Sequence, residues 1–220
     1  MSFADTIIRT FRDHADPEQA AEMSAYMKDN FPFFGIPMPL RTALTKACLL
    51  EHGKPSSFRT EVAKLWAVPQ RECHYVACAL LIKYAKQLKP ADLPVIESMI
   101  TSNSWWDTVD MLSSKIAAAI VRADPGLRTS IASKWIEDDN FWLQRSAILL
   151  QLHYKLDTDP ELLFRCIMRR ADSTEFFVRK GAGWALREYS KIDPKIVRTF
   201  IDAHYDELSS LTVREGSRYC

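Results

Sequence analysis

Apolar residues recur three and four positions apart in blocks that each stop shortly before a proline, the periodicity of helices with one buried face. The blocks predict helices over residues 3–13, 39–52, 69–87, 104–122, 140–155 and 174–190. The prolines that follow predict the start of a second helix in each case: Pro17, Pro55, Pro90, Pro125, Pro160 and Pro194, at steps of 38, 35, 35, 35 and 34 residues. A period in that range belongs to stacked helical repeats. Asp124, Asp159 and Asp193 stand before the last three prolines, which is an N-cap acceptor followed by a residue with no amide to satisfy. Alternating apolar and polar runs bounded by turn dipeptides are missing, so no sheet is predicted. Residues 31–39 (FPFFGIPMP) form the one long irregular stretch, its prolines and Gly35 excluding helix while its aromatics call for packing. The pattern predicts an all-α solenoid of six helix pairs, with residues 1–220 as a single domain.

Composition narrows the function without naming it. At 220 residues and 47% hydrophobic the chain can bury a substantial core. No basic leader precedes an apolar run and no stretch approaches membrane-spanning length, so the expected location is the cytoplasm, with no membrane partner. Five cysteines without CxxC spacing and five scattered histidines argue for buried thiols and against a metal site. The net charge is only +1, yet residues 163–200 carry nine basic side chains against four acidic ones. That third of the chain is polarised towards polyanions, although a solvated helix face would read the same way.

The repeat makes equivalent positions comparable. Aligning the first helices of repeats three to six on Gln70, Trp105, Phe141 and Phe176 places Arg71, Trp106, Trp142 and Phe177 at position two. Position five then holds His74, Val109, Arg145 and Lys180; position six holds Tyr75, Asp110, Ser146 and Gly181; position nine holds Cys78, Ser113, Leu149 and Trp184. These positions share one helical face, whereas positions seven, eight and twelve are mostly apolar and predict the core side. Stacked first helices turn matching faces into one surface, on which Trp106, Asp110, Arg145 and Trp184 are expected to converge. Asp110 lies too deep in its helix to cap it and asks for another role. Asp107, three residues after Ser104, has the spacing of a capping box. Arg145 and Asp110 could also pair simply to join two repeats.

The segments SWWDTVD (104–110), FWLQRSAILLQL (141–152), FFVRKGAGWALREYS (176–190) and AYMKDNFPFFGIP (25–37) resemble the AlkD-type DNA alkylation repair glycosylases, nearly end to end. The resemblance implies a right-handed solenoid of about six HEAT-like helix pairs that cradles duplex DNA containing alkylated bases. It implies a monomer that needs no cofactor or metal and removes 3-methyladenine and 7-methylguanine while leaving the lesion stacked. Carried over residue by residue, Asp110 matches the catalytic carboxylate, Trp106 and Trp184 the aromatic pair beside the lesion's deoxyribose, and Arg145 the phosphate-binding arginine. Tyr26 matches a DNA-facing tyrosine and Arg187 a further backbone contact. Lys180 and Arg179, in the basic third of the chain, complete the expected DNA-binding set.

The residue types suit that chemistry. An N-alkylated purine is already a cationic leaving group, so the reaction needs a carboxylate to stabilise an oxocarbenium-like sugar more than it needs a strong acid. Indole faces attract cations by about 0.5–2 kcal/mol each. An arginine fork grips a phosphate in two places. The reading from another class is a non-catalytic helical-repeat scaffold for DNA or protein, which fold alone does not separate from an enzyme.

Overall fold

The computed structural model of the protein describes residues 2–53 and 55–220. Its elements are all helical: α1 (Phe3–Asp13), α2 (Pro17–Tyr26), α3 (Met38–His52), α4 (Phe58–Trp66), α5 (Arg71–Lys83), α6 (Leu93–Thr101), α7 (Trp106–Met111), α8 (Ala118–Val121), α9 (Pro125–Glu137), α10 (Phe141–Leu149), α11 (Pro160–Arg169), α12 (Phe176–Ser190), α13 (Pro194–Ala203) and α14 (Ser210–Gly216). No strand occurs among the described residues. The fold is all-α and built of helical repeats, as the apolar pattern predicts. It divides into two compact units, one ending at Ala85 and one spanning Lys86–Cys220.

The aspartate–proline starts hold in detail. The Oδ1 atoms of Asp124, Asp159 and Asp193 accept from the amides of Leu127, Leu162 and Ile196 at 2.9, 3.0 and 3.0 Å. Asp16 does the same before Pro17, accepting from Glu18 and Gln19 at 3.1 Å each. Each such cap is worth about 1 kcal/mol.

Two of the six prolines do not open an α-helix. Pro55 stands outside α4, which begins at Phe58 because Ser57 supplies the N-cap, its Oγ accepting from Thr60 N at 3.3 Å. Pro90 opens a 3-10 turn, Pro90–Asp92, and α6 starts only at Leu93. A second proline, Pro94, dictates that delay: in a helix continuous from residue 90, its ring would meet the Pro90 carbonyl. The predicted helices 69–87 and 140–155 also end early, each followed by a short 3-10 turn, at Ala85–Gln87 and Lys155–Asp157.

In the first unit, α1 packs against α3 and α4, and α4 against α5, around Ile7, Phe11, Leu65, Cys73, Val76 and Leu80. The irregular segment 31–39 is held by a carboxylate. Buried Glu72 accepts from Phe34 N at 3.0 Å, Gly35 N at 2.9 Å and Ile36 N at 3.1 Å. Gly35 has φ +89°, and a Cβ there would lie 2.0 Å from the Asp16 carbonyl oxygen, so only glycine fits. Arg71, also buried, stacks its guanidinium 3.8 Å from the centre of the Phe31 ring.

In the second unit, α10 lies between α9 and α12, and α12 packs against α13 and α14. Ile96, Ile100, Leu112, Ile116, Trp135, Ile148, Leu186 and Val197 are essentially excluded from solvent there. Burial of each such side chain contributes about 1.5–3 kcal/mol before entropy is counted.

Candidate active site

α7 is short because the chain changes winding directly after Met111, one residue beyond Asp110. The segment Leu112–Ala117 is a π-helical turn, joined at once to α8. Two hydroxyls attend the change: Ser113 Oγ donates to Val109 O at 2.9 Å and Ser114 Oγ to Asp110 O at 2.6 Å. Serines that bond back to the preceding turn loosen regular α winding. At its other end, α7 begins at Trp106, preceded by the extended Trp105. The capping box expected from Ser104 and Asp107 does not form, because Ser104 Oγ turns back to the carbonyl of Ile100 at 2.7 Å, at the end of α6. Asp107 thus sits in the first turn, where a carboxylate favours the helix dipole.

Asp110 and Arg145 meet across two repeats. Arg145 Nε donates to Asp110 Oδ1 at 2.8 Å and its NH2 group to Oδ2 at 3.0 Å, a fork against a carboxylate. A third donor, NH1, reaches the carbonyl of Phe177 at 2.5 Å. The arginine side chain is 4% exposed and the aspartate 15%. Burial pushes the Asp110 carboxyl above the usual carboxylate range, against the hydrogen bonds and charge of Arg145, while the charge of Asp107 adds to the rise. Gly181 makes room for the arginine: a Cβ there would come within 3.0 Å of NH1. Of the two roles the sequence left open to Arg145, a phosphate grip and a tie to Asp110, the structure contains the Asp110 fork, with the arginine buried.

Trp106 is one helical turn before Asp110 and half-buried; Trp184 is half-buried on α12, one turn after Gly181. Trp105, Trp142 and Phe177 form an aromatic cluster, with ring centres 5.1 Å apart for Trp105 and Phe177 and 4.8 Å for Trp142 and Phe177. The expectation that positions two, five, six and nine all line a surface fails at Arg71, His74, Cys78, Val109, Ser113, Trp142, Arg145, Ser146, Leu149 and Gly181, which are buried. Polar as well as apolar members of the stripe lie in the interior, and Trp106, Asp110, Lys180 and Trp184 keep partial exposure.

The basic residues fall into two groups. Arg179 is tied to Ser173 O through Nε at 2.5 Å. Lys180 and Arg187 share one carboxylate, that of Glu215 on α14: Lys180 Nζ lies 2.8 Å from Oε1, and Arg187 NH1 pairs with Oε2. Glu215 is the functional candidate that sequence reasoning missed, in the tail after Leu208. Its signal was Gly183 in the interior of a helix, where glycine costs about 1 kcal/mol relative to alanine and asks for a packing reason. Tyr26 belongs to the first unit and is 70% exposed. It lines a groove there with Met23, Met27, Phe33 and Tyr75.

No group of three or more potential metal ligands occurs among the described residues, and none of their helices is long and apolar enough to cross a membrane. Burial pushes the Cys73 and Cys166 thiols up to about 12, which leaves both without thiolate character. The Asp110 carboxylate, largely buried and held by Arg145, is thus the group with candidate chemistry among these, with half-buried Trp106 one turn before it on α7.

The fold is an all-α stack of helical repeats, and its candidate site is a largely buried carboxylate held by an arginine. The chain belongs to the DNA alkylation repair enzyme family, whose sequence model matches residues 7–220. It is also similar to a solved structure described as a predicted DNA alkylation repair enzyme from Enterococcus faecalis, with 35% identity and a TM-score of 0.85 over 93% of this chain and 96% of that one. A search of curated proteins finds no match.

Proposed function

We infer that this protein is a monofunctional glycosylase that hydrolyses the N-glycosidic bond of positively charged alkylated purines, 3-methyladenine and 7-methylguanine, in duplex DNA without flipping the base. The observation that carries the reading is the Asp110 carboxylate, largely buried, held at both oxygens by Arg145 and placed one turn after Trp106. The bond from C1′ to the base nitrogen breaks and its electron pair goes to the base, cancelling the positive charge there. The sugar becomes oxocarbenium-like, and a carboxylate fixed in a poorly solvated site stabilises it without reorganising. Water then attacks C1′ and gives its proton to Asp110, leaving a deoxyribose hydroxyl.

Arg145 serves this scheme by holding Asp110 ionised and oriented against the burial that would protonate it. Its fork on Asp110 and its bond to the Phe177 carbonyl use three of a guanidinium's five N–H groups and leave two for a backbone phosphate. Trp106 and Trp184 present indole faces to the cationic sugar and base. Lys180, Arg187, Arg179 and Tyr26 supply contacts to the duplex, with no cofactor or membrane in the scheme and a monomer acting in the cytoplasm.

The test is release of 3-methyladenine and 7-methylguanine from methylated duplex by the purified protein and by its Asp110→Asn variant. The variant is expected to bind duplex but to lose excision by two or more orders of magnitude, about 3 kcal/mol of transition-state stabilisation. Unchanged excision would make the Asp110–Arg145 pair a tie between repeats. Absence of excision from the wild type would favour a non-catalytic helical-repeat scaffold, for which the same buried ion pair is the supporting observation.

A further inference from the structure

We propose that Glu215 is a positioning residue for DNA-backbone contact, holding Lys180 and Arg187 in one fixed row along α12. The proposal rests on the reading that α12 faces duplex DNA. Lys180 and Arg187 are seven residues apart, two turns along the same helical face, and two unrestrained cations there would repel one another and sample many rotamers. Glu215 gives each of them one carboxylate oxygen. Lys180 first and Arg187 after it hold the Glu215 carboxyl below its ordinary range, so it stays ionised.

The alternative, a carboxylate that screens the cations until a phosphate displaces it, is at odds with the order of burial. Glu215 is 14% exposed, Arg187 19% and Lys180 38%, so the carboxylate lies beneath the cations it binds. Its helix is also built into place. A Cβ on Gly183 would stand 2.6 Å from Glu215 Cβ, and one on Gly216 would stand 3.0 Å from Leu186 Cβ. Thr212 Oγ1 donates to Arg179 O at 3.1 Å, and Ser209 caps the helix start by accepting from Thr212 N at 3.0 Å. A displaceable competitor has no use for two glycines cut to its contour.

The experiment measures affinity for unmodified and 7-methylguanine-containing duplexes against salt concentration, for the wild type, Glu215→Gln, Glu215→Ala, Lys180→Ala and Arg187→Ala. If Glu215 positions the cations, both Glu215 variants bind each duplex about three- to tenfold more weakly at low salt, and the slope of log affinity against log salt flattens by about 0.9, one phosphate contact. The Glu215 effect then disappears in a Lys180→Ala/Arg187→Ala background. Tighter binding with a steeper slope, the long-range consequence of deleting a negative charge near a polyanion, overturns the proposal. So does a lowered melting temperature with affinity and slope unchanged, which is what a purely structural tie between α12 and α14 gives. Glu215→Gln, close in shape, covers the case in which the alanine variant unfolds. Wild type that fails to bind duplex at all refutes the proposed function together with this inference, whereas wild type that binds normally beside silent Glu215 variants refutes this inference alone.

Discussion

Replacing Arg145 by methionine isolates the electrostatic role of the guanidinium, because methionine fills much of its volume without a charge. The side chain is 4% exposed and donates to Asp110 twice and to the Phe177 carbonyl once. Breaking a buried pair from one side costs about 3–5 kcal/mol, mostly because the remaining charge is left without a partner. That remaining charge can be relieved by a proton, which makes the cost depend on pH.

The sign follows from the direction of the Asp110 shift. Burial already raises its carboxyl above the unfolded value with Arg145 present, and deleting Arg145 removes the two opposing causes. A group whose folded pKa lies above the unfolded one contributes stability that is present below the unfolded pKa and lost as pH rises through the folded pKa. Urea unfolding of wild type and Arg145→Met across pH should therefore show a gap of about 3–5 kcal/mol near neutrality that narrows as the medium is acidified. Excision by the variant should be low at neutral pH and recover as pH rises, since the acid limb of its rate profile moves upward. A gap that is independent of pH, or that widens in acid, would refute the argument that Arg145 acts by keeping Asp110 ionised.

Glu72→Gln should destabilise the first unit by about 2–4 kcal/mol in urea, because an amide nitrogen would face one of the three backbone N–H groups the carboxylate now satisfies; a loss under 1 kcal/mol would contradict that account of segment 31–39. Asp124→Ala should cost about 1 kcal/mol by the same measurement while leaving excision rates intact, the signature of an N-cap remote from chemistry. Trp106→Ala and Trp184→Ala should each reduce the preference for 7-methylguanine duplex over unmodified duplex in a binding titration, by about three- to thirtyfold if each indole supplies a cation–π contact of about 0.7–2 kcal/mol; equal losses on both duplexes would assign the indoles to packing.

Much of the fold was legible because its signals are local. An aspartate before a proline sets a helix start whatever surrounds it, and this holds at Pro17, Pro125, Pro160 and Pro194. Pro55 and Pro90 follow lysines and lack that signal, and the helix starts there are set instead by Ser57 and delayed by Pro94. The π-helical turn after Asp110 was not legible, since a Ser-Ser pair within an apolar pattern gives no period of its own. Of the candidate site, Asp110 was visible as a misplaced helix residue and Trp106 as its neighbour one turn away. The partner of Arg145 remained one of two readings, because sequence spacing does not say whether a stripe residue ends at solvent or beneath the next repeat.

The repeat also explains why that choice goes the way it does. Within the second unit, the alignment matches position five of one repeat with position six of the preceding one as Arg145 with Asp110 and Lys180 with Ser146. Only the Arg145 and Asp110 step sets opposite charges opposite one another, and there the following repeat offers Gly181, the smallest possible neighbour, and the Phe177 carbonyl as a further acceptor. A carboxylate buried for reactivity needs an ionised partner that cannot itself lose a proton, space for that partner to lie flat, and an acceptor for its spare donor. The carboxylate comes from one repeat, the arginine from the next, and the space and acceptor for that arginine from a third, which is how a stack of similar helices builds a chemically distinct point.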